Sequence, residues 1–361
     1  MKPPEDAEPT TTLGPASTPP PNATSPGNLR SLGRKLVVVM LAGVVLYGAL
    51  VVIRGTDKIE AELAHFQPSA FAAACGLASL NYFLRFARWE YYLGVLGIHG
   101  DKRALGWGES FLVFLSGFVF TVTPGKVGEV FKSVVLHELR GIDVVRTAPI
   151  VVAERLTDVV GVVLLIAFGS TALPGGILWA CLGTVAVAAL LVFVTYPAVS
   201  SPVLGALGRL PGRAGALARS AIPKIETMLL ELKILATPRR LVWPATLAVV
   251  GWSLEGVGVW LIVRGFGVAA ELPPVAFSYS TATLAGALVP LPIGVVEKVL
   301  EETMVAVAHV PGPIATATML MARLATLWFA VAVGFIALGL LRARNPGLLA
   351  EKPPIATEQD A

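Results

Sequence analysis

Charged side chains are scarce in this chain. Asp, Glu, Lys and Arg make up 14% of its 361 residues and hydrophobic types 55%, too little polar side chain to cover a water-soluble globule of this length. A bilayer is the solvent that fits. Cysteine is nearly absent: Cys75 and Cys181 both fall inside apolar runs, which predicts small core residues and no disulfide. The four histidines, His65, His99, His137 and His309, lack metal-ligand spacing, so no metal site is expected. A nucleotide-binding P-loop is lacking as well, because PGKVGE at 124–129 has neither its spacing nor its Ser or Thr. No cofactor and no nucleic acid partner are expected.

Long apolar runs are plentiful, and the mean hydropathy is +0.73. A membrane span needs about 17–25 apolar residues. Leu36–Ile53, Pro174–Val199, Leu272–Val296 and Leu324–Leu341 offer such windows without a charge. Ser69–Leu84 runs into Arg85 and Arg88, Ala104–Gly125 carries Glu109, Thr147–Ser170 carries Glu154, Arg155 and Asp158, and Leu241–Val263 carries Glu255. The pattern predicts an all-α polytopic membrane protein with about six full spans and two re-entrant helical hairpins. Residues 1–33, rich in Pro and Thr, and 345–361 read as polar tails without a core, and 34–344 as the transmembrane domain. No short apolar core with a small-residue cleavage site precedes the first span, so a retained anchor is expected.

Lys and Arg in the short loops set the orientation. Arg30, Arg34 and Lys35 before the first span, Lys102 and Arg103, and Lys132, Arg140 and Arg146 all read as cytoplasmic, with Arg85 and Arg88 as anchors at a span's cytoplasmic end. Both termini then lie in the cytoplasm of a cell whose inner membrane holds the chain. The basic segment 200–240 contains Ile222, Ile225, Leu229, Leu232 and Leu235 at steps of three and four, the pattern of an amphipathic helix at the interface.

The chain also repeats itself. PGKVGE at Pro124 is followed by AERLTD with Arg155, and PLPIGVVE at Pro290 is followed by MARLAT with Arg323. The repeats run about 104–170 and 272–341, and the loop charges place them in opposite orientations. Such inverted repeats with interrupted helices point to a transporter's midplane site. Pro124 has no amide to donate, and Gly125 and Gly128 cost about 1 kcal/mol each in a helix, so a helix should stop near Thr123 and another start near Val127. A fresh N-terminus exposes unpaired amides and suits a phosphate or carboxylate. The alternative is a simple Pro kink with Lys126 and Glu129 reaching the interface.

Ionisable groups at membrane depth cost at least about 2.5–3.5 kcal/mol each and must face the protein interior. Arg155 can reach Asp158 one turn away, and it is expected to neutralise Glu154 and Asp158. Arg323 has no acid within one turn, so it is either a ligand-binding cation or the partner of Glu297 or Glu255.

TPGKVGEVFK with ERLTD, preceded by RFARW and followed by the second Pro-Gly patch and an Arg-Leu helix with Trp328, resembles the membrane domain of the lysylphosphatidylglycerol synthase family. The likeness runs from about Leu36 to Leu341. It implies a flippase-like domain that moves modified lipid across the bilayer, with family roles for Pro124, Gly125, Lys126, Gly128, Glu129, Arg155, Asp158, Gly294, Glu297 and Arg323. Leu291 and Pro292 stand where the family usually has Gly-Gly, and lysine transfer is not expected, since no soluble transferase domain is seen. The leading expectation is a non-enzymatic transporter of a phosphate-bearing lipid, its anionic head group held by Lys126, Arg155 and Arg323, with Glu129, Glu154 and Asp158 as candidate proton carriers. The alternatives are a membrane-embedded glycosyl or lipid transferase and a non-transporting scaffold that partners a cell-envelope biosynthetic enzyme.

Overall fold

The computed structural model describes residues 62–100, 105–121, 129–174, 176–209, 232–235, 237–289 and 293–348, with scattered positions between 211 and 223. The predicted first span at 36–53, the N-terminal tail, the C-terminal tail from residue 349, Ile225, Leu229 and Pro290 to Pro292 lie outside them; Leu348, expected in a polar tail without a core, is instead buried in the apolar core. All secondary structure among the described residues is helical. Helix α1, Pro68–Val95, and helix α7, Pro238–Gly265, each run 28 residues from a Pro in the first turn, where the missing N–H has no partner to lose. They pack antiparallel. Gln67 N–H donates to the Gly265 carbonyl at 3.0 Å, Ala74 faces Gly258, and Asn81 faces Gly251.

Each long helix opens the same succession. After α1 come α2, Trp107–Ser116, which tightens into a 3-10 turn to Phe120, then α3, Phe131–Arg140, and the long α4, Val144–Ser170. After α7 come α8, Leu272–Leu288, then α9, Val295–Ala306, and the continuous pair α10, Gly312–Arg323, and α11, Phe329–Arg344. A π turn, Leu324–Trp328, joins the last two directly after Arg323. Between the two halves lie α5, Gly176–Thr195, and α6, Pro197–Gly208. The break after α8 has a local cause: Val289 is extended, the conformation that a following proline imposes, and Pro290 follows.

Three helices among the described residues, α1, α7 and α10–α11, are long and apolar enough to cross a membrane, or four if the bent pair α5 and α6 counts as one span. Helix α4 is as long, at 27 residues, but carries Glu154, Arg155 and Asp158. The window Leu272–Val296, read from sequence as one apolar run, is divided between α8 and α9. Large apolar side chains such as Ile177, Leu178, Val242, Trp243 and Ile336 stay exposed on these helices, a surface that hydrocarbon stabilises and water would not.

Among the described residues two large apolar cores hold the bundle, beside a smaller one of Val119, Phe120, Leu327 and Val331. One joins Phe86, Trp89 and Tyr92 of α1 to Val113 of α2, Leu136 of α3, Ile150 of α4 and Leu341 of α11. The other joins Ala74 of α1 to Val259 and Ile262 of α7, Val275 of α8, Leu300 and Met304 of α9 and Ala315 of α10. Leu232 and Leu235, expected on the membrane-facing stripe of an amphipathic helix, are instead buried in the first core; burial against protein removes them from the interface. At Gly334 a Cβ would stand 2.5 Å from Val119 N and 3.0 Å from Phe118 C, so α11 approaches the 3-10 turn as only glycine permits. Gly334→Val should therefore lower thermal stability in detergent by about 1–3 kcal/mol, whereas Gly339→Ala, with open space around it, should not.

Candidate functional site

A cavity of about 110 Å³ lies where the two halves meet. Arg85 of α1, Arg155 of α4 and Arg323 at the end of α10 all line it, with Glu129, Glu255 of α7 and Tyr279 of α8. It adjoins a second space of about 280 Å³, lined by Val159 and Val162 of α4, by Leu284 of α8 and by Val289 just past its end, with Arg155, Trp252, Thr283, Gly286 and Ala287 common to both. A polar chamber thus continues into an apolar groove between α4 and α8.

The arginines differ in how fully they are matched. Arg155 Nη2 lies 2.9 Å from Glu129 Oε2 and 2.8 Å from Asp158 Oδ2, close enough for ion pairs but without hydrogen-bond alignment. Arg323 Nε donates to Glu297 Oε1 at 2.6 Å. The Glu129–Arg155 and Glu297–Arg323 pairs share one sequence separation, 26 residues. Arg85 is held least: its Nη2 is 3.7 Å from Glu129 Oε1, and its guanidinium sits 5.2 Å over the Phe118 ring.

Behind these lies a fully buried layer. Arg88 Nη1 donates to Asp158 Oδ1 at 2.7 Å and to Thr157 Oγ1 at 3.0 Å, and Trp252 Nε1 donates to Asp158 Oδ1 at 3.3 Å. Lys132 Nζ donates to Glu154 Oε2 at 2.5 Å, with the Trp89 ring 4.6 Å and the Phe114 ring 5.3 Å away. Arg88 is 2% exposed and Lys132 4%. Both depart from the sequence reading, which set Arg88 as an interface anchor and Lys132 on the cytoplasmic surface. The reason is that α1 continues ten residues past Arg85, and Lys132 and Arg88 are drawn inward by Glu154 and Asp158. Arg155, expected to neutralise Glu154, leaves that acid to Lys132.

Of the site residues read from sequence, Pro124, Gly125, Lys126 and Gly128 lie outside the described residues. Glu129, Arg155 and Asp158 come together at the cavity, and Gly294, Glu297 and Arg323 come together on its other side. Gly294 has φ +89°, a left-handed turn that glycine adopts freely, and its N–H donates to Glu297 Oε2 at 2.6 Å. The N-terminus of α9 is therefore already capped by an internal carboxylate that also holds Arg323. Arg85, Glu255, Tyr279 and Trp252 escaped the sequence reading as site residues. The signal for Arg85 and Glu255 was present, since each is a lone charge within an apolar helix. Among the described residues no group of three or more His, Cys, Asp or Glu is placed to hold a metal ion.

A family model of the lysylphosphatidylglycerol synthase TM region matches residues 37–334. The chain belongs to that family. As a lysylphosphatidylglycerol synthase membrane region it is a multi-pass membrane protein of a class tied to lipid metabolism or cell-envelope biosynthesis. The match takes in every cavity residue named above. No curated protein matches the chain.

Proposed function

We propose that this protein moves a phosphate-bearing lipid across the cytoplasmic membrane, without chemistry on the lipid. The observation that carries the reading is the cavity itself, in which Arg85, Arg155 and Arg323 converge and which continues into an apolar groove between α4 and α8. Guanidinium groups match phosphate oxygens through paired N–H donors, and an apolar groove beside them suits a hydrocarbon tail. The succession of long and broken helices in both halves supports an inverted repeat with two re-entrant hairpins, and such a repeat would hold the chamber near the bilayer midplane. Lys126, Pro124, Gly125 and Gly128 would complete the first half-site.

Reconstitution into vesicles containing a fluorescent phosphatidylglycerol, followed by one-sided chemical quenching, tests it. Protein-containing vesicles should lose nearly all of the signal, whereas empty vesicles should retain about half. A signal equal to that of empty vesicles would favour the scaffold reading, and a new lipid product on incubation with a sugar or aminoacyl donor would favour the transferase.

A further inference from the structure

Three of the four carboxylates nearest the cavity arginines are matched by cations. Glu129 pairs with Arg155, Asp158 with Arg88 and Arg155, and Glu297 with Arg323. Glu255 is the exception. It lines the cavity from α7 at 9% exposure, and its oxygens are held by Asn81 Nδ2 at 2.6 Å and by the Tyr279 hydroxyl. Among the described residues no Lys or Arg stands within ion-pair distance of it. Both holders are neutral, and a buried carboxylate held directly by neutral donors keeps a desolvation cost that the cavity arginines offset only from a distance. It sheds that cost by taking a proton. Its partners tolerate either form, because a phenol and a carboxamide can each donate or accept. Gly251 opposite leaves the room that Asn81 occupies.

We infer that Glu255 is a proton-binding site of this cavity, which takes up a proton when an anionic lipid head group enters and releases it when the head group leaves. The inference rests on the lipid-binding reading above. The step is a proton transfer from the aqueous phase to the Glu255 carboxylate, with no other bond made or broken. The surroundings of Glu255 set its sign. Helix α1 presents Asn81, Tyr82 and Arg85, α4 presents Arg155 and Asp158, α8 presents Tyr279, α10 presents Arg323, and Glu129 closes the chamber. A phosphate brought among these groups adds negative charge beside an ionised Glu255, so the neutral acid binds it better. By linkage the coupling is reciprocal: the bound lipid favours the proton, and affinity for the lipid falls as pH rises through the range in which Glu255 ionises. Arg85 and Glu255 line one chamber without touching, so the carboxylate's charge and the phosphate compete for the same cations. The three acids favoured from sequence as proton carriers, Glu129, Glu154 and Asp158, are each committed to a cation and lack this freedom.

Calorimetric titration of the detergent-purified full chain with phosphatidylglycerol, in buffers of differing ionisation enthalpy, reads the coupling directly. Wild type should take up on the order of one proton per lipid bound, with affinity falling as pH rises. Glu255→Gln should take up none and bind with an affinity independent of pH. Uptake that persists in Glu255→Gln overturns the inference, as does wild-type binding without uptake across the pH range. If Glu255→Gln fails to fold, Tyr279→Phe replaces it, and an unchanged pH midpoint of uptake in that variant counts against the site. Should phosphatidylglycerol not bind at all, the lipid reading falls separately. The infrared band of a protonated carboxyl then tests the site alone: its absence from wild type throughout a pH titration removes it.

Discussion

Arg85→Gln is expected to slow phosphatidylglycerol translocation in reconstituted vesicles by roughly ten- to a hundredfold, with thermal stability nearly unchanged. The size follows from losing one charge-assisted contact to phosphate, about 1.5–3 kcal/mol. The selectivity follows from the structure, where Arg85 has, among the described residues, a single ion-pair contact at 3.7 Å. Removing it forfeits little and also removes a desolvation cost. Arg323→Gln should slow translocation to a similar degree but also destabilise, because it leaves buried Glu297, among the described residues, with the Gly294 amide and no cation. Equal loss of stability in both variants, with translocation intact after rescue by a stabilising lipid, would make both arginines structural and defeat the phosphate site.

Lys132→Met should produce the largest loss of stability among single substitutions, about 3–5 kcal/mol. It strands Glu154, whose side chain is 3% exposed and whose ion-pair partner among the described residues is Lys132. Two aromatic faces, Trp89 and Phe114, lose their cation as well. The double variant Lys132→Met with Glu154→Gln should recover most of the loss, since two neutral groups need no compensation. Thermal unfolding of the four corners of that cycle isolates the pair's coupling. If the double variant is as unstable as the single, the loss lies in packing and not in charge.

How much of this was legible in the sequence depends on the residue. Composition alone required a membrane protein, and the end of α8 at Leu288 agrees with the restriction that Pro290 puts on the residue before it, whereas the break expected at Pro124 lies outside the described residues. Arg155 with Asp158 was readable because both lie on one helix, one turn apart. Pairs that join distant helices were not readable: nothing in the spacing ties Lys132 to Glu154 or Arg88 to Asp158, since packing alone brings those helices together. The same limit hid Asn81 and Tyr279 around Glu255. Arg85 was misread for a different reason, because a charge ten residues before a helix end resembles an anchor until the helix is known to continue to Val95. Leu232 and Leu235 show the converse. Their periodicity was real, but one apolar stripe fits lipid and protein equally well.

The capping of α9 by Glu297 bears on turnover. The carboxylate that satisfies the Gly294 amide also occupies Arg323, so this part of the chamber carries its own resident anion. Under the proposed function an arriving phosphate enters by exchange: it displaces Glu297 from Arg323, or shares the guanidinium with it, and each departure lets the carboxylate return. Glu129 stands in the same relation to Arg155. A binding event built as an exchange would have a small net free energy in both directions, so that under the proposed function a lipid would be held long enough to cross without being trapped.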